Sequence, residues 1–288
     1  MGWIVTALGL YLMFVAFLTV MQRQMMYFPP SGQPDPAAYG IDGLSAVTVE
    51  TADGLRLTHW YRPPQSPEGP VVALFHGNAG HIGDRVGKFQ ALFRAGFGVF
   101  LVEYRGYGGN PGSPSETGLT EDARSALDWL AEQGVSSART FVYGESLGTA
   151  PAIRMAAAQA REALGGTNGA SGGPYAGLIL EAPFTAIADV AQHHYWYAPV
   201  RWLIYDAWEV AEDIGDIATP LLVIHGEQDR TVPFRYGQRL FDLAAEPKEA
   251  LFLANASHND LFADPQVPAR IVAFVEERFR SVEPAPAD

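Results

Sequence analysis

The chain contains no cysteine. That excludes disulfides, a thiolate nucleophile and zinc–thiolate sites, and it leaves the redox compartment unmarked. Basic residues are scarce: 19 Lys and Arg stand against 32 Asp and Glu, a formal net charge of −13. Phosphate backbones are bound by clustered cations, so this balance argues against nucleic acid as a partner. The acidity suits a soluble domain surface instead. The seven histidines show no metal-ligand spacing such as H-E-x-x-H, and neither a metal nor a cofactor is expected. Charge is missing altogether from residues 2–21, GWIVTALGLYLMFVAFLTVM; the first charged side chain is Arg23.

That uncharged run is long enough to cross a hydrocarbon layer of ~30 Å as a helix of about 20 residues. Trp3 near one end and Tyr27 and Phe28 near the other suit interfacial positions, and Pro29-Pro30 stops the helix. A cleaved signal peptide is the competing reading. It needs a basic n-region and a small-residue cleavage site, whereas nothing basic precedes this run and MQRQMMYFPP follows it. Residues 1–28 are therefore expected to be a single-pass membrane anchor and residues 29–288 the folded domain. By the positive-inside rule Arg23 leans slightly toward a cytoplasmic domain, but one arginine leaves the side of the membrane open.

From Ala46 onward, short apolar runs alternate with helical stretches. Ala46–Glu50 and Arg56–Tyr61 flank Ala52-Asp53-Gly54 and predict an antiparallel hairpin. Six strands follow at Val71–Phe75, Gly98–Val102, Thr140–Tyr143, Gly177–Glu181, Leu221–His225 and Ala250–Leu253. Most are continuously apolar, as in a parallel sheet covered on both faces. Helices are expected over Asp84–Ala95, Leu119–Gln133, Leu147–Ala163, Phe234–Ala244 and Pro268–Arg280. The result is an α/β fold with a mostly parallel, doubly wound, eight-stranded sheet. Gly165–Pro174, GGTNGASGGP, reads as a flexible loop. Residues 184–217, rich in Tyr, Trp and His, read as a short aromatic helical cap over the strand ends.

Gly144-Glu145-Ser146-Leu147-Gly148 follows the strand Thr140–Tyr143 and opens a helix, the setting of a G-x-S-x-G nucleophile elbow. The turn crowds the positions two before and two after the serine, which glycine relieves. Alone, the motif could be a helix-capping serine in a glycine turn. A serine hydroxyl needs an imidazole base oriented by a carboxylate. Asp229 lies just past the strand ending at His225, and His258 just past the next strand, so nucleophile, acid and base occur in the order expected at one sheet edge. Glu227 is the rival acid. His225 reads as buried and structural, and Asn255-Ala256-Ser257, formally a glycosylation sequon, lies too near His258 to carry a glycan. An oxyanion hole is expected from the backbone N–H of Leu147 and of Asn78, in the loop His76-Gly77-Asn78-Ala79-Gly80. His81, His194, Tyr195 and Trp196 are candidate pocket residues.

His76–Gly80 (HGNAG), Glu103–Gly108 (EYRGYG), Gly112–Glu116 (GSPSE) and Gly144–Gly148 (GESLG) together resemble the Bem46/ABHD12–ABHD13–ABHD17 group of α/β-hydrolases, over about residues 70–262. The resemblance implies the α/β-hydrolase fold and an N-terminal membrane segment. It also implies Ser146, Asp229 and His258 as triad, Asn78 and Leu147 as oxyanion donors, and hydrolysis of carboxylic esters or thioesters, often of lipids. Glu103 stands where an aspartate often precedes Tyr-Arg-Gly, a structural position in that group. No large insertion follows the sixth strand, so substrate choice does not transfer. The expected partners are a small-molecule ester or lipid and, through the first helix, a membrane. A peptidase on the same fold and a non-catalytic membrane-tethered scaffold are the rival readings.

Overall fold

A computed structural model describes residues 2–165 and 173–282. Of the expected loop Gly165–Pro174, residues 166–172 lie outside the described residues. The sheet has eight strands in the order β1-β2-β4-β3-β5-β6-β7-β8. The hairpin β1 (Ser45–Glu50) and β2 (Arg56–Arg62) is antiparallel, and β2 joins β4 (Gly98–Val102) antiparallel. From there β3 (Val71–Phe75), β5 (Thr140–Glu145), β6 (Gly177–Glu181), β7 (Leu221–Gly226) and β8 (Lys248–Leu253) are parallel neighbours.

The runs β3, β4 and β6 are buried at every residue because both faces are covered. Val71, Ala73 and Phe75 pack into one core, which includes Leu119, Ala126, Ile153 and Leu240. Val72 and Leu74 pack into the other, with Phe89, Leu92, Ile271 and Phe274. The covering helices are α2 (Gln90–Arg94), α3 (Glu116–Glu132), α4 (Thr149–Gly165), α7 (Phe234–Leu243) and α8 (Gln266–Val282). Ser115 caps α3 by accepting from Gly118 N–H at 3.1 Å. The helix expected over Asp84–Ala95 is shorter than its apolar pattern: a 3-10 turn at Ile82–Arg85 is continued by successive i to i−3 bonds, and α2 begins only at Gln90.

The order in which successive parallel strands are added reverses at β3, which has β4 on one side and β5 on the other. A crevice opens beyond the carboxyl ends of strands at such a switch point. The HGNAG and GESLG segments leave β3 and β5 there. The cap lies between β6 and β7, as α5 (Ile187–His194), α6 (Val200–Leu203) and connecting turns. The first helix, α1 (Gly2–Met26), is apolar enough to cross a membrane, with a mean hydropathy of 2.3. It does not stand apart. The Arg23 guanidinium pairs with Asp206 at 2.9 and 3.1 Å, Gln22 Nε2 donates to Leu203 O, and the Tyr11 hydroxyl donates to Tyr197 O.

Candidate active site

Ser146 has φ +50°, in the left-handed region that non-glycine residues rarely occupy. The elbow is tight enough that a Cβ on Gly144 would meet the Thr149 backbone, and one on Gly148 would collide with the Phe75 carbonyl. The residue before the serine secures the turn from below. Glu145 accepts from Arg85 Nη2 at 2.8 Å and Lys88 Nζ at 3.0 Å, and Lys88 also reaches Glu181 at 2.9 Å. Burial pushes the Glu145 carboxyl up, but the Lys88 and Arg85 charges outweigh it and bring it down to about 2.

His258 and Asp229 converge on the hydroxyl. His258 Nε2 lies 3.1 Å from Ser146 Oγ and His258 Nδ1 lies 2.6 Å from Asp229 Oδ2. The Asp229 carboxylate is itself fixed: its Oδ1 accepts from the backbone N–H of Thr231 and Val232, each at 2.8 Å. His225, read from sequence as structural, is buried, with Nε2 3.0 Å from Val232 O and 3.2 Å from Asp229 Oδ2. Burial pushes the Asp229 carboxyl up, but hydrogen bonds from His225 and His258 prevail and hold it well below the usual carboxylate range. Glu227, the rival acid, is exposed, and its backbone N–H serves the neighbouring strand end by donating to Leu253 O.

The HGNAG loop runs against the elbow: a Cβ on Gly77 would sit 3.2 Å from Glu145 Oε1 and 3.5 Å from Ser146 Cβ. Its shape is set by the EYRGYG segment. His76 Nε2 lies 2.7 Å from Glu103 Oε1, and Ile82 N–H donates to Glu103 Oε2. The Tyr104 hydroxyl donates to His76 O and the Tyr107 hydroxyl to Asn78 O. Arg105 is clamped between Asp122 and Asp53, which ties this segment to α3 and the hairpin. The end of α1 grips the same loop. Asn78 Nδ2 donates to Met26 O at 2.9 Å, and Phe28 N–H donates to Asn78 O at 2.9 Å.

A cavity of about 590 Å³ opens beside Ser146, with Leu147 and Asn78 also on its wall. This is ample for a small-molecule ligand. Its remaining walls are mainly apolar: Val15, Leu18, Thr19 and Gln22 of α1 face Ile187, Ala191, Val200 and Leu203 of the cap. Of the four expected pocket residues, His194 and Tyr195 line the cavity. The other two belong elsewhere. His81 opens the 3-10 turn at Ile82, with its N–H bonded to Asp84 and its ring turned to the same carboxylate at 3.5 Å. Trp196 lies past the end of α5, where the chain has turned outward, and is 78% exposed. Two contributions were not read from sequence, the segment Arg230-Thr231-Val232 and the α1 wall. Thr19 and Gln22, polar residues three apart at the end of the uncharged run, are the available signal for the second.

Residues 66–210 match the family described as serine aminopeptidase, S33. An uncharacterized protein of Mycobacterium tuberculosis is 40% identical over 248 residues, covering 85% of this chain and 83% of that protein. The lysophosphatidylserine lipase ABHD12 of Danio rerio is 33% identical over 73% of this chain, which spans 59% of that longer protein. Among solved structures, the Pyrococcus furiosus esterase Pf2001 superposes with a TM-score of 0.67 at 17% identity, covering 88% of this chain and 98% of that one. Est1E of Butyrivibrio proteoclasticus, solved with ferulic acid bound, gives 0.65 at 18% identity, with 82% and 100% covered. These two structures share the fold. With eight mostly parallel strands, the motifs HGNAG, EYRGYG and GESLG at the switch point, and these relatives, the chain belongs to the S33 serine aminopeptidase family of α/β-hydrolases and is an ABHD12-like member of it.

Proposed function

We propose that the protein is a serine esterase acting on acyl esters or thioesters of lipid character. One observation carries the reading: the Ser146–His258–Asp229 chain, with contacts of 3.1 and 2.6 Å, opens onto an apolar cavity of about 590 Å³. Ser146 Oγ attacks the acyl carbon while His258 Nε2 accepts its proton. Asp229 holds His258 Nδ1–H and stabilises the imidazolium that forms. The backbone N–H groups of Leu147 and Asn78 receive the charge that develops on the carbonyl oxygen. His258 then protonates the leaving alcohol or thiol. Water, activated by the same imidazole, hydrolyses the acyl-enzyme.

Arg230 is the one Lys or Arg among the described residues lining the cavity. It suits a substrate with an anionic head and one acyl chain, in keeping with relatives named lysophosphatidylserine lipases. An aminopeptidase has less support. It must hold a free ammonium with a carboxylate, and no Asp or Glu occurs among the described residues lining the cavity.

Residues 1–28 act as a retained anchor in this reading, with residues 29–288 the catalytic domain and 184–217 its cap. A cleaved leader would take with it one wall of the cavity and the bonds from Arg23 to Asp206 and from Asn78 to Met26. The test is labelling by a fluorophosphonate probe, lost in Ser146→Ala, with p-nitrophenyl esters from acetate to palmitate. Labelling that survives in Ser146→Ala defeats the nucleophile assignment. Equal rates along the ester series defeat the lipid reading.

A further inference from the structure

The aromatic cap presents large apolar side chains to solvent beside the membrane helix. Trp202 is 88% exposed, Trp196 78% and Tyr205 65%. The stretch from Tyr195 to Tyr205 contains a single charge, Arg201, whose guanidinium is engaged by Asp189 and Glu209. An exposed patch of this kind on a folded domain marks a binding surface. Trp and Tyr, with an apolar body and one polar atom, are the residues of a lipid–water boundary.

The position of this patch along α1 identifies its occupant. The Tyr11 hydroxyl bonds Tyr197 O, and the Phe14 and Tyr197 rings lie 6.1 Å apart. Gln22 bonds both Leu203 O and Tyr205 N–H, and Arg23 pairs with Asp206. The cap therefore accompanies α1 from Tyr11 to Arg23, a rise of about 18 Å at ~1.5 Å per residue. Residues 2–10, which precede the first of these contacts, rise only about 13 Å, less than half of a ~30 Å hydrocarbon core. To cross, α1 must use its uncharged run as far as Met21. The cap segment bonded along that run is then carried below the membrane surface.

Resting on the reading of α1 as a membrane helix, we infer that residues 195–203 of the cap are immersed with it in one leaflet of a phospholipid bilayer, Trp196 and Trp202 facing the acyl chains and Tyr205, level with Gln22, at the headgroup boundary. The cavity wall formed by Val15, Leu18, Thr19 and Gln22 lies at the same depth along α1. An acyl chain in that leaflet reaches the space beside Ser146 without passing through water.

The absence of native cysteine makes the test clean, since one introduced thiol is the only one in the chain. The full chain carrying Val5→Cys, Trp196→Cys, Trp202→Cys or Ser66→Cys is nitroxide-labelled and reconstituted in palmitoyl-oleoyl phosphatidylcholine vesicles. Collision with oxygen and with an aqueous nickel chelate then reports depth. Val5 samples α1, and Ser66, exposed ahead of β3, samples the opposite edge of the sheet. Labels at 5, 196 and 202 are expected to favour oxygen several-fold over the label at 66. A lipid-exposed label at 5 with labels at 196 and 202 matching 66 overturns the immersed cap while sparing the anchor. A label at 5 that reads as aqueous overturns both. As a check free of labels, brominated phosphatidylcholine should quench native tryptophan fluorescence, and Trp196→Phe with Trp202→Phe should remove a large part of that quenching; unchanged quenching counts against the inference. Neither readout requires turnover, so a failed esterase assay leaves this test intact.

Discussion

Asp229→Asn isolates the role of the carboxylate, because the structure dictates how the new amide must sit. Oδ1 accepts two backbone hydrogen bonds, from Thr231 and Val232 at 2.8 Å each. The amide oxygen must take that place. The opposite orientation would point an NH₂ at two N–H donors and leave them unpaired, at a cost of about 1–3 kcal/mol for each. The NH₂ is thereby forced into the Oδ2 position, 2.6 Å from His258 Nδ1 in the native chain. It donates, so Nδ1 must accept, and the imidazole proton moves to Nε2, the atom facing Ser146 Oγ at 3.1 Å. An imidazole protonated there cannot take the serine proton. A wrong tautomer of this kind costs on the order of 10⁴ in kcat, about 5.5 kcal/mol at ~1.36 kcal/mol per decade. The assay is p-nitrophenyl butyrate hydrolysis, with ¹⁵N spectra of labelled histidine to report which nitrogen of His258 carries the proton. Glu227→Gln, at an exposed position, should stay within about twofold of the native rate. The reasoning is refuted if Asp229→Asn keeps a tenth of the activity, if the proton stays on Nδ1, or if Glu227→Gln does more damage.

Three further outcomes are expected. Leu18→Trp fills the α1 wall of the cavity; loss of room for two methylenes at ~0.8 kcal/mol each lowers kcat/KM for a decanoate ester about 15-fold and leaves acetate unchanged, and a parallel fall of both would contradict the α1 wall. Arg230→Gln should weaken preference for an anionic over a zwitterionic single-chain phospholipid about fivefold, the scale of an exposed ion pair, whereas an unchanged ratio removes the headgroup role. Burial lowers His59 to about 3, and its Nδ1 accepts from Glu103 N–H, a bond that only the unprotonated nitrogen can make. Below its unfolded value near ~6.5 the unfolded chain binds a proton that the folded chain refuses, so stability falls with falling pH from there toward 3; between pH 7 and 5 this amounts to about 2 kcal/mol, read as a fall in urea midpoint that His59→Asn should flatten.

The sheet and the order of the site were legible because both are written in local pattern. Uninterrupted apolar runs announce most of the parallel strands, and Ser146, Asp229 and His258 each lie shortly past the end of a strand. What escaped depends on direction rather than identity. Nothing local distinguishes Tyr195, which turns into the cavity, from Trp196, which turns out; the end of α5 decides that. The apolar spacing of 84–95 suggested one helix, but the chain takes 3-10 turns through Phe89, and in this stretch Arg85 and Lys88 reach Glu145. Within α1 only Thr19 and Gln22 mark the face that has a second role, too few to stand out from an uncharged run. Its hydropathy signals a membrane and conceals a wall.

The ion pair between Arg23 and Asp206 joins positions 183 apart in the chain. At ~5–20 residues per second of synthesis, the helix leaves the ribosome roughly 10–40 s before its partner exists. Through that interval α1 can be handed to a bilayer while the part of the chain that folds over it is still being made. Arg230, Thr231 and Val232 of the cavity wall, and then His258, emerge later still than the cap, so on the proposed reading α1 is free to reach a bilayer before the site can act.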